Sequence, residues 1–121
     1  MELKQSGEDY LEAILVLQKK KGSVLSVDVA AHLGFAKSSV SYAMGLLRDG
    51  GFLTVESGGA LRLTQAGLEA AGRVYERHCT LKRLLVSWGV DPKTAEEDAC
   101  RMEHAISAES FEKLKAFLAE E

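Results

Sequence analysis

Proline is nearly absent from this 121-residue sequence, with Pro92 as the single example, and cysteine and tryptophan are scarce at two and one. A chain so poor in proline is neither collagen-like nor a polyproline linker. Two thiols, Cys79 and Cys100, exclude a disulfide-rich scaffold and read as reduced side chains or ligands. Long apolar runs are lacking too. The longest, such as Ala13 to Leu17, fall far short of the roughly 20 residues that a bilayer demands. Residues Met1 to Gln5 carry no basic stretch leading into an apolar run, so a cytoplasmic location is expected. An excess of basic charge is also missing, since the formal net charge is −3. That balance weighs against nucleic-acid binding until its distribution is considered. Between Ala13 and Val55 five basic residues face two acids, whereas between Thr64 and Glu121 eight basic residues face eleven.

What is present is ordinary globular material, 46% hydrophobic and 27% charged, sufficient for one compact core with two lobes. Asp9 to Lys21 places Leu11, Ile14, Leu15 and Leu17 at helical spacing and stops at Gly22. Ser26 is an expected N-cap for a short helix carrying Val29, Ala30 and Leu33, closed by Gly34. Lys37 to Asp49 follows with Val40, Met44 and Leu47 on one side, and Gly50-Gly51 ends it. The period then changes to alternation. Phe52 to Val55, a Ser57-Gly58-Gly59 turn and Ala60 to Leu63 predict a β-hairpin. Thr64-Gln65-Ala66-Gly67 opens a long helix reaching about Trp88, with Gly89 as its stop. A fifth helix is expected from Pro92 to about Met102 and a sixth from about Ser107 to Ala119.

Helix, short helix, tight turn, helix and hairpin is the order of a winged helix-turn-helix. The fold class is therefore mostly α with a small β-hairpin wing. The expected division is 1–63 for DNA binding and 64–121 for a second, helical domain. In such modules the second helix of the turn enters the major groove. Ser38, Ser39, Ser41 and Tyr42 are the candidate readers, weighed against hydroxyls that merely cap the helix start. Lys37 and Arg62 are candidate phosphate contacts, weighed against simple solvated charges.

Cys100, Glu103 and His104 stand at i, i+3 and i+4, so a thiol, a carboxylate and an imidazole share one helical face. Asp9 and Glu12 repeat the i, i+3 spacing on the first helix, and His78 lies mid-way along the fourth. Together they make a mixed oxygen, nitrogen and sulfur donor set suited to a divalent transition metal. His32 and Cys79 have no partner at ligand spacing and receive no role.

Several segments carry a specific resemblance: Glu8 to Ile14, Ser39-Val40-Ser41, Leu63 to Gly67, Arg77-His78, and above all Asp98 to Ser107. In their order and spacing the chain resembles the iron- and manganese-dependent repressors, the diphtheria-toxin-repressor family. Because it ends near the sixth helix, it is expected to be a short form without the SH3-like third domain. The resemblance implies a metal-activated homodimer that binds palindromic double-stranded operators and represses genes of metal uptake or homeostasis. With apolar runs too short to span a bilayer and no evident nucleophile–base pair or substrate cleft, no membrane, no catalysis and no small organic substrate are expected. The family's ligand positions fall on Asp9, Glu12, His78, Cys100, Glu103 and His104. Iron-responsive members tend to have methionine at the position of Asp9, whereas manganese-responsive members have aspartate there and glutamate at the position of Cys100. This hybrid set leaves Fe²⁺ and Mn²⁺ both open, with Co²⁺, Ni²⁺ or Zn²⁺ as in vitro substitutes. The family's ancillary-site acid and second histidine correspond to Lys82 and Glu96, which argues against an iron-type ancillary site. Trp88, Leu84 and the apolar residues of the last helix are candidates for a dimer seam, with intramolecular core as the alternative for each. A metal-independent winged-helix regulator is the main rival. A protein-interaction module and a helical metalloenzyme are further alternatives.

Overall fold

The structure is a computed structural model in which residues 3–119 are described. Six helices and one hairpin follow in the order α1 (Gln5–Lys21), α2 (Ser26–Leu33), α3 (Lys37–Asp49), β1 (Leu53–Val55), β2 (Leu61–Leu63), α4 (Gln65–Ser87), α5 (Pro92–Met102) and α6 (Ala108–Ala119). The architecture is mostly helical with one two-stranded antiparallel sheet, as the sequence pattern implies. The chain divides into two compact units, 1–72 and 73–121. No helix among the described residues is long and apolar enough to cross a membrane.

In the first unit α1 packs on α2, α2 on α3, β1 on α3 and β2 on α1. The apolar stripes meet in a core of Leu11, Ile14, Val24, Val29, Val40, Met44, Leu47, Leu53 and Leu61, none more than 2% exposed. Each such side chain contributes roughly 1.5–3 kcal/mol on burial. Helix α2 begins one residue earlier than its serine suggests. Leu25 is the N-cap, and the Asp28 carboxylate three residues on accepts from the Leu25 N–H at 2.8 Å. Ser26 is thus the first helical residue rather than the cap. Lys21, in the last turn of α1, pairs with Asp28 at 2.8 Å and clasps the two helices together. That ammonium hydrogen bond holds the Asp28 carboxyl below its ordinary range. Gly34 takes the left-handed conformation (φ 73°) that closes α2 and lets α3 begin three residues later.

The hairpin pairs Leu53 with Leu63, Thr54 with Arg62 and Val55 with Leu61. Its β2 edge is tied to the α1–α2 connection by Leu61 N–H donating to Val24 O at 2.8 Å. At the start of α4 the Thr64 hydroxyl caps the helix by accepting from the Gly67 N–H (3.1 Å) and itself donates to Gly51 O (2.7 Å). Gly67 is a close approach. A Cβ there would lie 1.9 Å from the Phe52 carbonyl oxygen, so the Thr-x-x-Gly step joins helix to hairpin with no room for a side chain.

In the second unit Asp91 caps α5, its carboxylate accepting from the Lys93 N–H at 3.1 Å, with Pro92 in the first turn as the sequence predicts. Helix α5 is tied to α4 by the Glu96–Lys82 ion pair and α6 to α4 by Lys115–Glu76. Buried apolar residues include Val74, Leu81, Leu84, Ala95, Ala99, Phe111 and Leu118.

Candidate metal centre and nucleic-acid interface

Helix α3 begins at Lys37 with Ala36 as its N-cap, and no side chain caps it. The serines of its first turn are therefore not spent on capping. Lys37, Ser38, Ser39, Ser41 and Tyr42 are all exposed, Tyr42 at 71%, opposite the buried Val40, Met44 and Leu47. Arg62 lies on the hairpin and is likewise exposed, but its guanidinium is ion-paired with Glu56 across the turn.

The second unit brings His78, Cys100 and Glu103 together. Their donor atoms lie within 4.8 Å of one another, close to the span that bonds of about 2.0–2.3 Å to one ion impose. His78 Nδ1 is 2.9 Å from Glu103 Oε2 and 3.8 Å from Cys100 Sγ. His78 and Glu103 are buried, at 8% and 1% exposure, while Cys100 opens to solvent. The sequence places Cys100, Glu103 and His104 on one helical face, but α5 ends at Met102. Glu103 keeps a helical backbone as the C-cap (φ −61°, ψ −24°), preserving the i, i+3 phase with Cys100, while His104 belongs to the turn that follows. His104 Nε2 nevertheless lies 3.3 Å from Glu103 Oε1. Asp9 and Glu12, both half-buried, share a face of α1 in the first unit.

Two residues outside the expected set shape this cluster. Glu96 Oε1 accepts from His78 Nε2 at 2.8 Å, and its Oε2 pairs with the Lys82 ammonium at 2.8 Å. The i, i+4, i+7 spacing of Glu96, Cys100 and Glu103 on α5 is the signal that could have found it. Arg77 donates to the backbone carbonyls of Glu103 (3.3 Å) and Ile106 (2.9 Å) while its guanidinium lies over the Phe111 ring, 5.5 Å from the centroid. It braces the turn bearing Glu103 and His104.

Between two carboxylates the His78 imidazole is held as a cation. The hydrogen bond to Glu103 is the largest influence, burial opposes it, and the pKa rises from 6.5 to about 9. The Lys82 hydrogen bond, followed by that of His78, keeps Glu96 below the ordinary carboxylate range despite partial burial. One feature fits a cation. Glu103 Oε1 is buried and makes no hydrogen bond among the described residues, with His104 Nε2 as an ion-pair neighbour at 3.3 Å, so coordination would satisfy it. With a thiol and an imidazole alongside, the donor set matches a borderline first-row dication.

Residues 2–61 match the family model of the iron dependent repressor N-terminal DNA binding domain, and residues 64–120 that of the iron dependent repressor metal binding and dimerisation domain. The chain belongs to the iron-dependent repressor family. This repressor-family chain is 36% identical over 118 residues to an uncharacterised HTH-type transcriptional regulator of Methanocaldococcus jannaschii, covering 96% of itself and 94% of that protein. It is 34% identical over 110 residues to the transcriptional regulator MntR of Salmonella typhimurium, covering 91% and 70%. Among solved structures it is similar to a manganese-dependent transcriptional repressor in complex with manganese, with a TM-score of 0.85 and 28% identity. That match covers 93% of this chain but only 52% of the other, so the chain spans about half the length of the solved relative. The family boundary falls near the start of α4, whereas the compact units divide inside that helix.

Proposed function

We propose that this chain is a metal-dependent transcriptional repressor of metal-uptake or homeostasis genes, acting in the cytoplasm as a homodimer on a palindromic operator, and that it is not an enzyme. The functional division is 1–63 for DNA and 64–121 for metal and dimerisation. The observation that carries this reading is the buried Glu103 carboxylate, one oxygen of which makes no hydrogen bond, within a His78–Cys100–Glu103 donor cluster, in a chain whose other half matches a DNA-binding domain.

In this reading His78, Cys100, Glu103 and His104 hold a divalent cation, Fe²⁺ or Mn²⁺, with Asp9 and Glu12 completing the ligand set. Bound there, the cation supplies positive charge that turns the mutual repulsion of Asp9, Glu12 and Glu103 into attraction. Cys100 and His78 give up their protons on coordination, so occupancy depends on pH. Asp9 and Glu12 lie on α1, and the Lys21–Asp28 clasp passes any constraint on α1 directly to α2 and hence to the reading helix. Ser38, Ser39, Ser41 and Tyr42 meet base edges in the major groove, and Lys37 and Arg62 meet phosphates. Arg62 must exchange Glu56 for phosphate to do so. Turning repression from mostly off to mostly on requires the metal to favour the DNA-competent state by roughly 5 kcal/mol.

An anaerobic operator titration with and without Mn²⁺ or Fe²⁺ tests the proposal. Affinity should rise by several orders of magnitude with metal. Unchanged affinity overturns it in favour of a metal-independent winged-helix regulator, and absence of any salt-dependent operator binding removes DNA as the ligand.

A further inference from the structure

The ring of His78 sits between two one-turn steps that face each other. On α4, Lys82 lies four residues after His78; on α5, Glu96 lies four residues before Cys100 and seven before Glu103. Glu103 and Cys100 face Nδ1, and Glu96 faces Nε2. Both oxygens of Glu96 are committed, one to His78 and the other to Lys82. A carboxylate so engaged is a poor competitor for a metal, yet it is well placed to govern the ring beside it.

We propose that Glu96, anchored by Lys82, is a positioning residue that fixes the His78 imidazole so that Nδ1 is the nitrogen presented to the metal. The proposal rests on His78 being a ligand. The physical reason is retention of one proton: when coordination displaces the proton that Nδ1 shares with Glu103, the proton held on Nε2 by Glu96 stays, which keeps Nδ1 as the coordinating nitrogen and raises its basicity. A 180° turn of the ring about its bond to Cβ would place carbon atoms where both hydrogen bonds now are. The paired carboxylates therefore set the orientation before any ion arrives. Lys82 adds a second effect. Its ammonium offsets the charge of Glu96, so that side of His78 offers an ion no net negative partner and coordination is confined to the Nδ1 side.

The test compares the full-length wild-type protein with Glu96→Gln, Lys82→Met and Lys82→Arg. Mn²⁺ affinity is measured by anaerobic calorimetry, and the protonated nitrogen of His78 is assigned by ¹⁵N NMR of the Zn²⁺-loaded protein. Wild type should show Nε2 protonated and Nδ1 bound. Glu96→Gln should bind Mn²⁺ about 10- to 100-fold more weakly and lose the single nitrogen assignment. Lys82→Met should show a smaller loss, and Lys82→Arg should restore affinity. Thermal melting of the metal-free proteins shows whether each variant folds, and Lys82→Met alone decides the case if Glu96→Gln does not. Glu96→Gln binding within twofold of wild type, or losing affinity with the His78 assignment unchanged, overturns the positioning role while leaving the metal site standing. A wild-type protein that binds neither ion overturns the metal site itself.

Discussion

Raising the pH of the metal-free protein should weaken it through one side chain. The folded state holds the His78 proton to a pKa of about 9, against 6.5 for an ordinary imidazole. At about 1.4 kcal/mol per unit, that gap corresponds to about 3 kcal/mol of folding stability from the charged ring between its carboxylates. Because the folded pKa is the higher one, the contribution is complete below pH 6.5, where both states are protonated. It declines as the unfolded chain loses its proton first, and it is gone above pH 9, where neither state holds one. Urea unfolding in the presence of a chelator, at half-unit steps from pH 6 to pH 10, measures the decline. His78→Gln run in parallel removes contributions from other groups, including the two thiols. Wild type should lose about 3 kcal/mol more than the variant across that window. A wild-type curve parallel to that of His78→Gln would refute the reasoning. The same linkage runs the other way for metal. Ligation requires Nδ1 to shed its proton, so Mn²⁺ affinity should climb between pH 6.5 and 9 while metal-free stability falls.

Glu103→Gln keeps the shape of the buried side chain but removes its charge. It should cut Mn²⁺ affinity by at least tenfold in calorimetry and abolish metal-stimulated operator binding, with the far-ultraviolet circular dichroism unchanged. Gly67→Ala forces a Cβ against the Phe52 carbonyl oxygen and should cost about 1–3 kcal/mol or more in urea unfolding; a neutral result would mean that α4 can shift freely against the hairpin. Tyr42→Ala should lower discrimination between operator and random duplex while leaving Mn²⁺ affinity intact, as read by competition binding at fixed salt.

The periodic elements were legible because their spacing is local. Helices α3 and α5, the end of α1, the hairpin and the punctuation at Gly34 and Gly89 all follow from residues within a few positions of each other, whereas α1 begins at Gln5, four residues before the apolar spacing that marks it at Asp9. Errors arise where two local rules compete. Ser26 is a favoured cap, yet the Asp28 carboxylate reaching back to Leu25 starts α2 one residue earlier. Likewise, i, i+3, i+4 spacing implies a continuous helical face, but α5 stops before His104. Cys100 and Glu103 were visible as donors because the helix itself sets their phase. Glu96 and Arg77 were not, because their roles depend on partners 18 to 29 residues away, across an interhelical packing that spacing alone does not specify. The dimer-seam candidates now separate. Leu84, Phe111 and Leu118 are buried within the protomer, while Trp88 and Phe117 remain exposed at 70% and 60%.

Arg77 grips the turn after α5 by two main-chain carbonyls. Carbonyls are the same whatever residue carries them, so the brace is indifferent to the identities at 103 and 106. A substitution at either position can therefore change what the turn presents without changing where it runs.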